Sequence, residues 1–293
     1  MRVVLTGASG QLGAYVIEAL RSAGHEVRAW SGKAGGERCE VPLVPVELTD
    51  PEAVTRALEQ DDPDAILHAA AISAADAVRL DPGLGHAVNV EATARLAAWC
   101  AQNDRRIVFT STDLVFDGGK AWNREEDPAE PIMAYGRTKR EAEPLVTAVP
   151  RGLAARMSLL FGPSRCGRPS YFDLVMGKLK QGEVQTLFED EFRTPLDLKT
   201  AANALTRLVE SDLTGLIHVA GRERVSRYEL MRRTAAAFGA DPGLVRSNRR
   251  SDVTLAEPRP ADASMDTTQL QQAFPDIPFP PIEEAVAGLI RVD

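Results

Sequence analysis

Three short stretches of this chain hold residue types that can do chemistry together. Tyr135-Gly136-Arg137-Thr138-Lys139 sets a phenol and an ammonium four residues apart, a spacing that puts both on one face of a helix. A phenol with a pKa near ~10 exchanges protons poorly at neutral pH unless a nearby cation stabilises its phenolate. Ser111-Thr112-Asp113 supplies hydroxyls able to donate a hydrogen bond to a substrate carbonyl. Gly7-Ala8-Ser9-Gly10-Gln11-Leu12-Gly13 repeats glycine every third residue, which lets a backbone turn tightly and come close to a ligand.

These residues need elements to hold them, and the chain supplies an alternation of short apolar runs and helical stretches. Val3 to Thr6 reads as a strand, and Gln11 to Ala23 as a helix with Leu12, Tyr15, Val16, Ala19 and Leu20 at helical spacing. Strands follow at Glu26 to Trp30, Leu43 to Leu48, Ala65 to Ala69, Ile107 to Thr110 and Leu153 to Leu160. Helices fall between them at Pro51 to Gln60 (capped by Asp50), Ala87 to Gln102, and Met133 to Ala148, with Pro144 bending or shortening the last. This β-α order predicts an α/β fold with a parallel doubly wound sheet, a Rossmann fold. Its strands are apolar enough for burial on both faces.

Past about residue 163 the pattern changes. Helices at Ser170–Gln181 and Leu198–Glu210 interrupt short strands, Leu216 to Val219 reads as one more strand, and Ser226 with Glu229 has the capping-box pattern. A Pro-rich tail leads to a helix near Ile282–Ile290. The expected organisation is a dinucleotide-binding domain over 1–163, rejoined by about 194–221, with 164–293 mainly a smaller α/β substrate-binding lobe.

A glycine turn between a first strand and its helix places a phosphate at unpaired N–H groups and the positive end of a helix dipole. The turn therefore predicts a dinucleotide site, with Gly7, Ser9, Gly10, Gln11, Leu12 and Gly13 as its candidate residues. The second strand of such a site normally ends on a carboxylate that holds a ribose 2′-hydroxyl. Here Arg28-Ala29-Trp30-Ser31-Gly32-Lys33 has no acid, and Ser31 and Lys33 suit a 2′-phosphate, which favours NADP(H) over NAD(H). A net charge of −8 argues against nucleic acid or an anionic membrane surface. No run approaches the ~20 apolar residues of a membrane span. The scattered Cys39, Cys100, Cys166 and four histidines have no metal spacing, so no metal is expected, and the thiols read as reduced and cytoplasmic.

Taken together, the turn, the hydroxyl run and the Tyr/Lys pair resemble the extended short-chain dehydrogenase/reductase superfamily, and within it the dTDP-4-dehydrorhamnose reductase family. The resemblance is carried by Thr6–Gly13, by Ser111-Thr-Asp-Leu-Val-Phe-Asp-Gly118 and by Tyr135–Lys139. Weaker matches at His68–Ala71, Asn89–Thr93, Arg156–Pro163, Gly215–Gly221 and Arg259-Pro260…Met265-Asp266 extend it over almost the whole chain. It implies Tyr135 as general acid, Lys139 as the residue that lowers its pKa and holds the nicotinamide ribose, and Thr112 as the hydroxyl polarising the ketone. It also implies backbone contacts to the cofactor from Ala69, Ala70 and Ala71, adenine packing against Glu47 and Leu48, and a structural or relay-supporting Asn89. The substrate would be a nucleotide-linked 4-keto-6-deoxysugar. The helices around 89–102 and 134–148 resemble those of a four-helix homodimer contact.

On the substrate side the chain departs from that family. Leu114 stands where a Tyr follows Ser-Thr-Asp, Tyr171-Phe172 replaces Asn-Phe, and Asp190-Glu-Phe-Arg-Thr-Pro-Leu196 replaces Asp-Gln-x-Gly-x-Pro-Thr. Arg193 and Arg259 are candidates for a substrate diphosphate or for ion pairs, and Asp113 for a substrate contact or a turn cap. Two other activities stay open: a sugar-nucleotide epimerase, and a non-catalytic NADP-binding subunit similar to the regulatory subunit of methionine adenosyltransferase.

Overall fold

In the computed structural model, which describes residues 1–290, strand and helix alternate from the first residues onward. The elements run β1 (Arg2–Thr6), α1 (Gln11–Ser22), β2 (Glu26–Trp30), β3 (Glu37–Arg38), β4 (Val41–Val44), α2 (Pro51–Asp61), β5 (Ala65–His68), α3 (Ala75–Leu80) and α4 (Pro82–His86). A π turn at Ala87–Glu91 leads into α5 (Ala92–Gln102), β6 (Arg106–Thr112), α6 (Ala134–Thr147), β7 (Gly152–Met157) and β8 (Leu160–Phe161). Then come α7 (Tyr171–Lys180), β9 (Gln185–Phe188), β10 (Phe192–Arg193), β11 (Leu196–Asp197), α8 (Leu198–Glu210) and β12 (Gly215–Val219). The chain continues through β13 (Val225–Ser226), α9 (Arg227–Ala237), β14 (Val245–Asn248), α10 (Thr268–Ala273) and α11 (Ile282–Ile290).

Eight strands form one sheet in the order β12-β7-β6-β5-β1-β2-β4-β3. β1 pairs in parallel with β2 and β5, β2 with β4, and β5 with β6, while β3 adds an antiparallel edge. Every residue of β5, β6 and β7 is buried, as a strand covered on both faces requires. From β1 the chain steps through β2 and β4 one way, and from β5 through β6 and β7 the other. The reversal lies between β1 and β5, where doubly wound sheets leave a crevice at the carboxyl ends of their strands. Val4, Trp30, Ile66, Leu96, Ile107, Phe109, Val146 and Ala154 belong to the apolar core beneath it.

Contacts divide the chain into two compact units. The first comprises Met1–Thr112, Ala134–Arg156 and Ala202–Ile217; the second comprises Asp113–Met133, Met157–Ala201 and His218–Asp293. Residues 113–133 and 157–163 thus group with the second unit, although they precede the boundary that composition suggests at 163. The second unit has its own interior: Val115, Phe116, Ala220 and Met265 form one cluster, and Phe172 packs between Phe161 and Phe238. Among the described residues no helix is long and apolar enough to cross a membrane.

Several elements differ from their sequence reading. The expected strand Leu43–Leu48 is Val41–Val44, because Pro45 has no N–H to continue the ladder. Leu153–Leu160 ends at Met157 and resumes as the short β8. The single helix expected over 87–102 opens into the π turn before α5, and α6 continues through Pro144 to Thr147. Ser226 Oγ accepts from the Glu229 N–H, but the complete reciprocal capping box lies at Ser170 and Asp173.

The predicted Asp50 cap is present, its carboxylate accepting from the N–H groups of Glu52 and Ala53 at 2.9 and 3.1 Å. Replacement by Ala is expected to cost about 1 kcal/mol. It should appear as a lower urea midpoint at unchanged slope; an unmoved midpoint would show the cap to be dispensable.

Candidate active site

The first unit builds its site on a turn that only glycine can make. Gly7 holds φ +73°, and a Cβ on it would lie 2.8 Å from the Ala70 nitrogen. A Cβ on Gly13 would lie 2.5 Å from the Gly7 oxygen and 2.7 Å from that of Ala8. The turn is closed by Gly10 N–H donating to Gly7 O at 2.9 Å and tied to β2 by Ala8 N–H donating to Trp30 O at 3.0 Å. Gly10 caps α1 without a side-chain acceptor, so the first N–H groups of that helix are left to solvent or to an anion. The halves of the crevice therefore meet as backbone on backbone, Gly7 after β1 against Ala69-Ala70 after β5.

Behind the turn runs a directed chain of hydrogen bonds. Ala70 N–H donates to Thr6 Oγ1 at 3.0 Å, and Thr93 Oγ1 donates to Asn89 O at 2.8 Å. The His68 ring lies between the two hydroxyls, Nδ1 2.7 Å from Thr6 and Nε2 2.9 Å from Thr93. With Thr93's proton already committed to Asn89, Nε2 carries the ring proton and Nδ1 accepts from Thr6. Burial, with Lys139 adding to it, pushes the His68 pKa down to about 3, so the ring is neutral and its tautomer fixed.

His68 stacks on Phe109 with ring centroids 5.6 Å apart, and the Lys139 ammonium sits over the same Phe109 ring at 4.0 Å. Lys139 is 1% exposed, and its Nζ has no hydrogen-bond acceptor among the described residues. Burial lowers its pKa to about 7, partly opposed by Glu143 one helical turn on. Glu143 is itself buried and bound by Arg156 at 2.8 and 2.9 Å and by the Ser111 hydroxyl at 2.7 Å. Tyr135, half-buried, opens the helix that carries Lys139, and Thr138 Oγ1 donates to its carbonyl at 2.8 Å. Asn89 in the π turn donates to Thr138 Oγ1 and to Ile72 O and accepts from Ile72 N–H, joining α6 to the loop after β5. Thr112, buried, is the last residue of β6.

The other candidates of this unit spread along the ends of β2 and β4. Ser9 donates to Ser31 O, and the Ser31 hydroxyl shares its one proton between Ala34 O and Val44 O. Lys33 is exposed, whereas Arg28 is paired with Glu26 at 2.9 Å and Asp61 at 3.6 Å. Glu47 accepts from the Thr49 hydroxyl at 2.9 Å, and Leu48 is buried.

In the second unit every sequence-chosen residue meets an opposite charge or a polar partner. Asp113 accepts from Ser158 Oγ at 3.0 Å and faces Arg193 at 3.2 Å. Arg259 grips Glu191 through two nitrogens at 2.7 and 3.0 Å, and Arg227 reaches the same carboxylate at 2.9 Å. These cations hold the Glu191 pKa down to about 2 against its burial. The Glu191–Arg259 and Glu143–Arg156 pairs had no signal in residue spacing, since they join residues 68 and 13 apart. Only the fold pairs them.

A cradle that any Cβ would fill and a buried ammonium lacking an acceptor both fit a dinucleotide: phosphates at the start of α1, ribose hydroxyls at Lys139. Among the described residues no group of three or more His, Cys, Asp or Glu side chains is placed to hold a metal ion.

Comparison with known proteins finds a matching family and relatives over nearly the whole chain. The family described as RmlD substrate binding domain matches residues 1–292. A probable low-salt glycan biosynthesis reductase, Agl14, of Haloferax volcanii is 30% identical over 99% of this chain and 97% of its own length. Methionine adenosyltransferase 2 subunit beta of Bos taurus is 29% identical over 92% of this chain and 81% of its own. The solved structure of a Bacillus anthracis dTDP-4-dehydrorhamnose reductase in complex with NADP shares the fold, with a TM-score of 0.87 at 21% identity over 100% of this chain and 99% of that one.

The lowered Lys139 pKa has a thermodynamic sign. Between about pH 7 and the ordinary lysine value of 10.5 the unfolded chain binds the proton that the folded chain has released. Stability contributed by this group therefore rises with pH through that window, and its burial penalty is complete below it. Lys139→Met is expected to melt above the wild type at pH 6, with the gap closing toward pH 10. A gap that calorimetry finds constant across that range would place the titration elsewhere.

Proposed function

We propose that this chain, which belongs to the RmlD substrate-binding-domain family, is an NADP(H)-dependent oxidoreductase that reduces a nucleotide-linked 4-keto-6-deoxysugar. The observation that carries the reading is Lys139, a buried ammonium without a hydrogen-bond acceptor, one helical turn from Tyr135 and joined through Phe109, His68 and Thr6 to the glycine turn. Membership of the family, a glycan biosynthesis reductase among the relatives and a structural neighbour solved with NADP support it.

When bound, the cofactor supplies a hydride to the ketone carbon. Tyr135 gives its phenolic proton to the ketone oxygen, and Lys139 stabilises the phenolate left behind. Thr112 donates its hydroxyl to the same oxygen. Hydride and proton together make the alcohol. The first unit holds the dinucleotide at Gly7, Ser9, Gly10, Gln11, Leu12 and Gly13 and along Ala69, Ala70 and Ala71. Glu47 and Leu48 flank its adenine, and Ser31 and Lys33 take its 2′-phosphate. The neutral His68 keeps the turn in place without adding a charge beside the pyrophosphate. Asp113, Arg193 and Arg259 of the second unit hold the substrate, and the chain works as a homodimer through 89–102 and 134–148.

A second reading is favoured by the 29% identity to a methionine adenosyltransferase subunit: a subunit that binds the dinucleotide and regulates a partner. The two separate on one assay, oxidation of NADPH against a panel of nucleotide 4-ketosugars with NADH in parallel. A reductase consumes NADPH stoichiometrically; no turnover on any member, with a partner enzyme co-purifying, would overturn the catalytic reading. Tyr135→Phe and Lys139→Met should each lower kcat by about 10²–10⁴ while leaving circular dichroism unchanged. A near wild-type rate in Tyr135→Phe would remove Tyr135 as the acid. Light scattering at micromolar concentration should give twice the monomer mass, and a clean monomer would remove the dimer.

A further inference from the structure

One carboxylate of the first unit adjoins both ends of the proposed chemistry. Glu143, 1% exposed, stands one helical turn beyond Lys139 on α6. Arg156 of β7 binds it through two nitrogens at 2.8 and 2.9 Å, and Arg140 approaches at 3.4 Å. From β6 the Ser111 hydroxyl donates to it at 2.7 Å. An ionised carboxylate can only accept, so the Ser111 proton is committed to Glu143. That removes Ser111 from the two hydroxyls able to meet a ketone, and it ties down the strand residue directly before Thr112.

One face of β6 meets α6 twice. Phe109 and Ser111, two residues apart on the strand, point to the same side. There the Phe109 ring lies 4.0 Å from the Lys139 ammonium, and Ser111 holds Glu143. The neighbouring groups of β5 and the π turn are neutral: burial keeps His68 uncharged, and the Asn89 amide donates to Thr138 beside Lys139. Tyr135 stands one turn back on α6. Glu143 is the carboxylate whose field opposes the cost of burying Lys139. Arg156 fixes where that charge stands, since a buried carboxylate gripped by two guanidinium nitrogens and a hydroxyl has little freedom to turn.

We infer that Glu143 is a positioning residue for the reduction: its buried carboxylate keeps Lys139 an ammonium one turn from Tyr135 and, through Ser111, holds the end of β6 where Thr112 follows. The inference rests on the reductase reading above and adds to Tyr135, Lys139 and Thr112 the group that sets two of them. Lys139 must be charged to stabilise a phenolate, so the residue that helps it keep its proton sets the upper pH limit of the reaction. The carboxylate is occupied by Arg156 and Ser111, and it acts through its neighbours rather than as an acid or base.

Two variants separate charge from shape. Glu143→Gln keeps the size and an acceptor for Ser111 but loses the charge, whereas Glu143→Asp keeps the charge and loses a methylene. In the intact protein, carbon-13 at the lysine ε-positions reports each ammonium by NMR, and the Lys139 signal is assigned by its loss in Lys139→Met. In Glu143→Gln the pH midpoint of that signal is expected to fall by about one unit, the effect of removing a nearby opposite charge. The basic limb of kcat/KM should move down with it, lowering the rate about tenfold above about pH 8 and much less below about pH 6. Glu143→Asp should keep both near the wild-type position. Where Glu143→Gln is too unstable to measure, Glu143→Gln/Arg156→Met removes the guanidinium along with its carboxylate, and the same fall is expected. An unmoved Lys139 midpoint in the Gln variants, or losses in the Asp and Gln variants that are equal at every pH, would overturn the positioning role. If the wild type reduces nucleotide ketosugars and Glu143→Gln leaves the midpoint and the basic limb in place, the role fails while the catalytic reading stands. If no ketosugar is reduced yet the midpoint falls, the hold on Lys139 stands and the catalytic reading fails.

Discussion

Two stretches of backbone approach each other at the head of the sheet too closely for a side chain at Gly7. A methyl group on Gly7 would overlap the Ala70 amide, and one on Gly13 would overlap the carbonyls of Gly7 and Ala8. Everything in the first unit follows from keeping that space empty of side chains. β1 and β5 must be neighbours for the approach to occur, which fixes the reversal of strand order between them. α1 must start where the turn ends, so that its uncapped N–H groups face the crevice. The side chains displaced from the crevice gather behind it. There Thr6, His68 and Thr93 satisfy one another, and burial keeps the imidazole neutral.

Buried charge is handled in two ways within this one chain. Glu143, Arg156 and Ser111 close on themselves with short bonds, which makes a rigid polar strut between α6 and β7. Lys139, one turn away on the same helix, lies over the face of Phe109 and in the field of Glu143, with no hydrogen-bond acceptor among the described residues. A protein that can bury a carboxylate with complete pairing does not leave an ammonium half-provided by accident of packing. That incomplete shell is the observation on which the proposed cofactor contact rests.

Much of this architecture was legible in residue order because it is local. The glycine spacing, the Asp50 cap, the strand at Glu26–Trp30 and the Tyr135/Lys139 pair all depend on neighbours within a few residues. Where the reading slipped, a distant partner decided. The π turn follows from Asn89 reaching Ile72 and Thr138, and Pro45, whose missing donor matters only against a pairing strand, cut β4 short. In the second unit Arg193 and Arg259 could be picked out by type. Their pairing could not, since Glu191 lies 68 residues from Arg259 and Asp113, a candidate on its own, sits in a run that pointed to the first unit's chemistry.

The division of the chain has a bearing on how the protein is made. The polypeptide passes from one unit to the other after Thr112, Met133, Arg156, Ala201 and Ile217. A ribosome emitting this chain has released most of the central strands by β6, yet the edge strand β12 and the α8 residues that group with the first unit come about a hundred residues later. The first unit cannot close until the beginnings of the second have also emerged. Folding during synthesis must therefore hold an unfinished sheet with its Ile107–Phe109 strand waiting for cover, at an elongation rate of about 5–20 residues per second. The same interleaving leaves no single point at which the gene could be cut to yield either half whole.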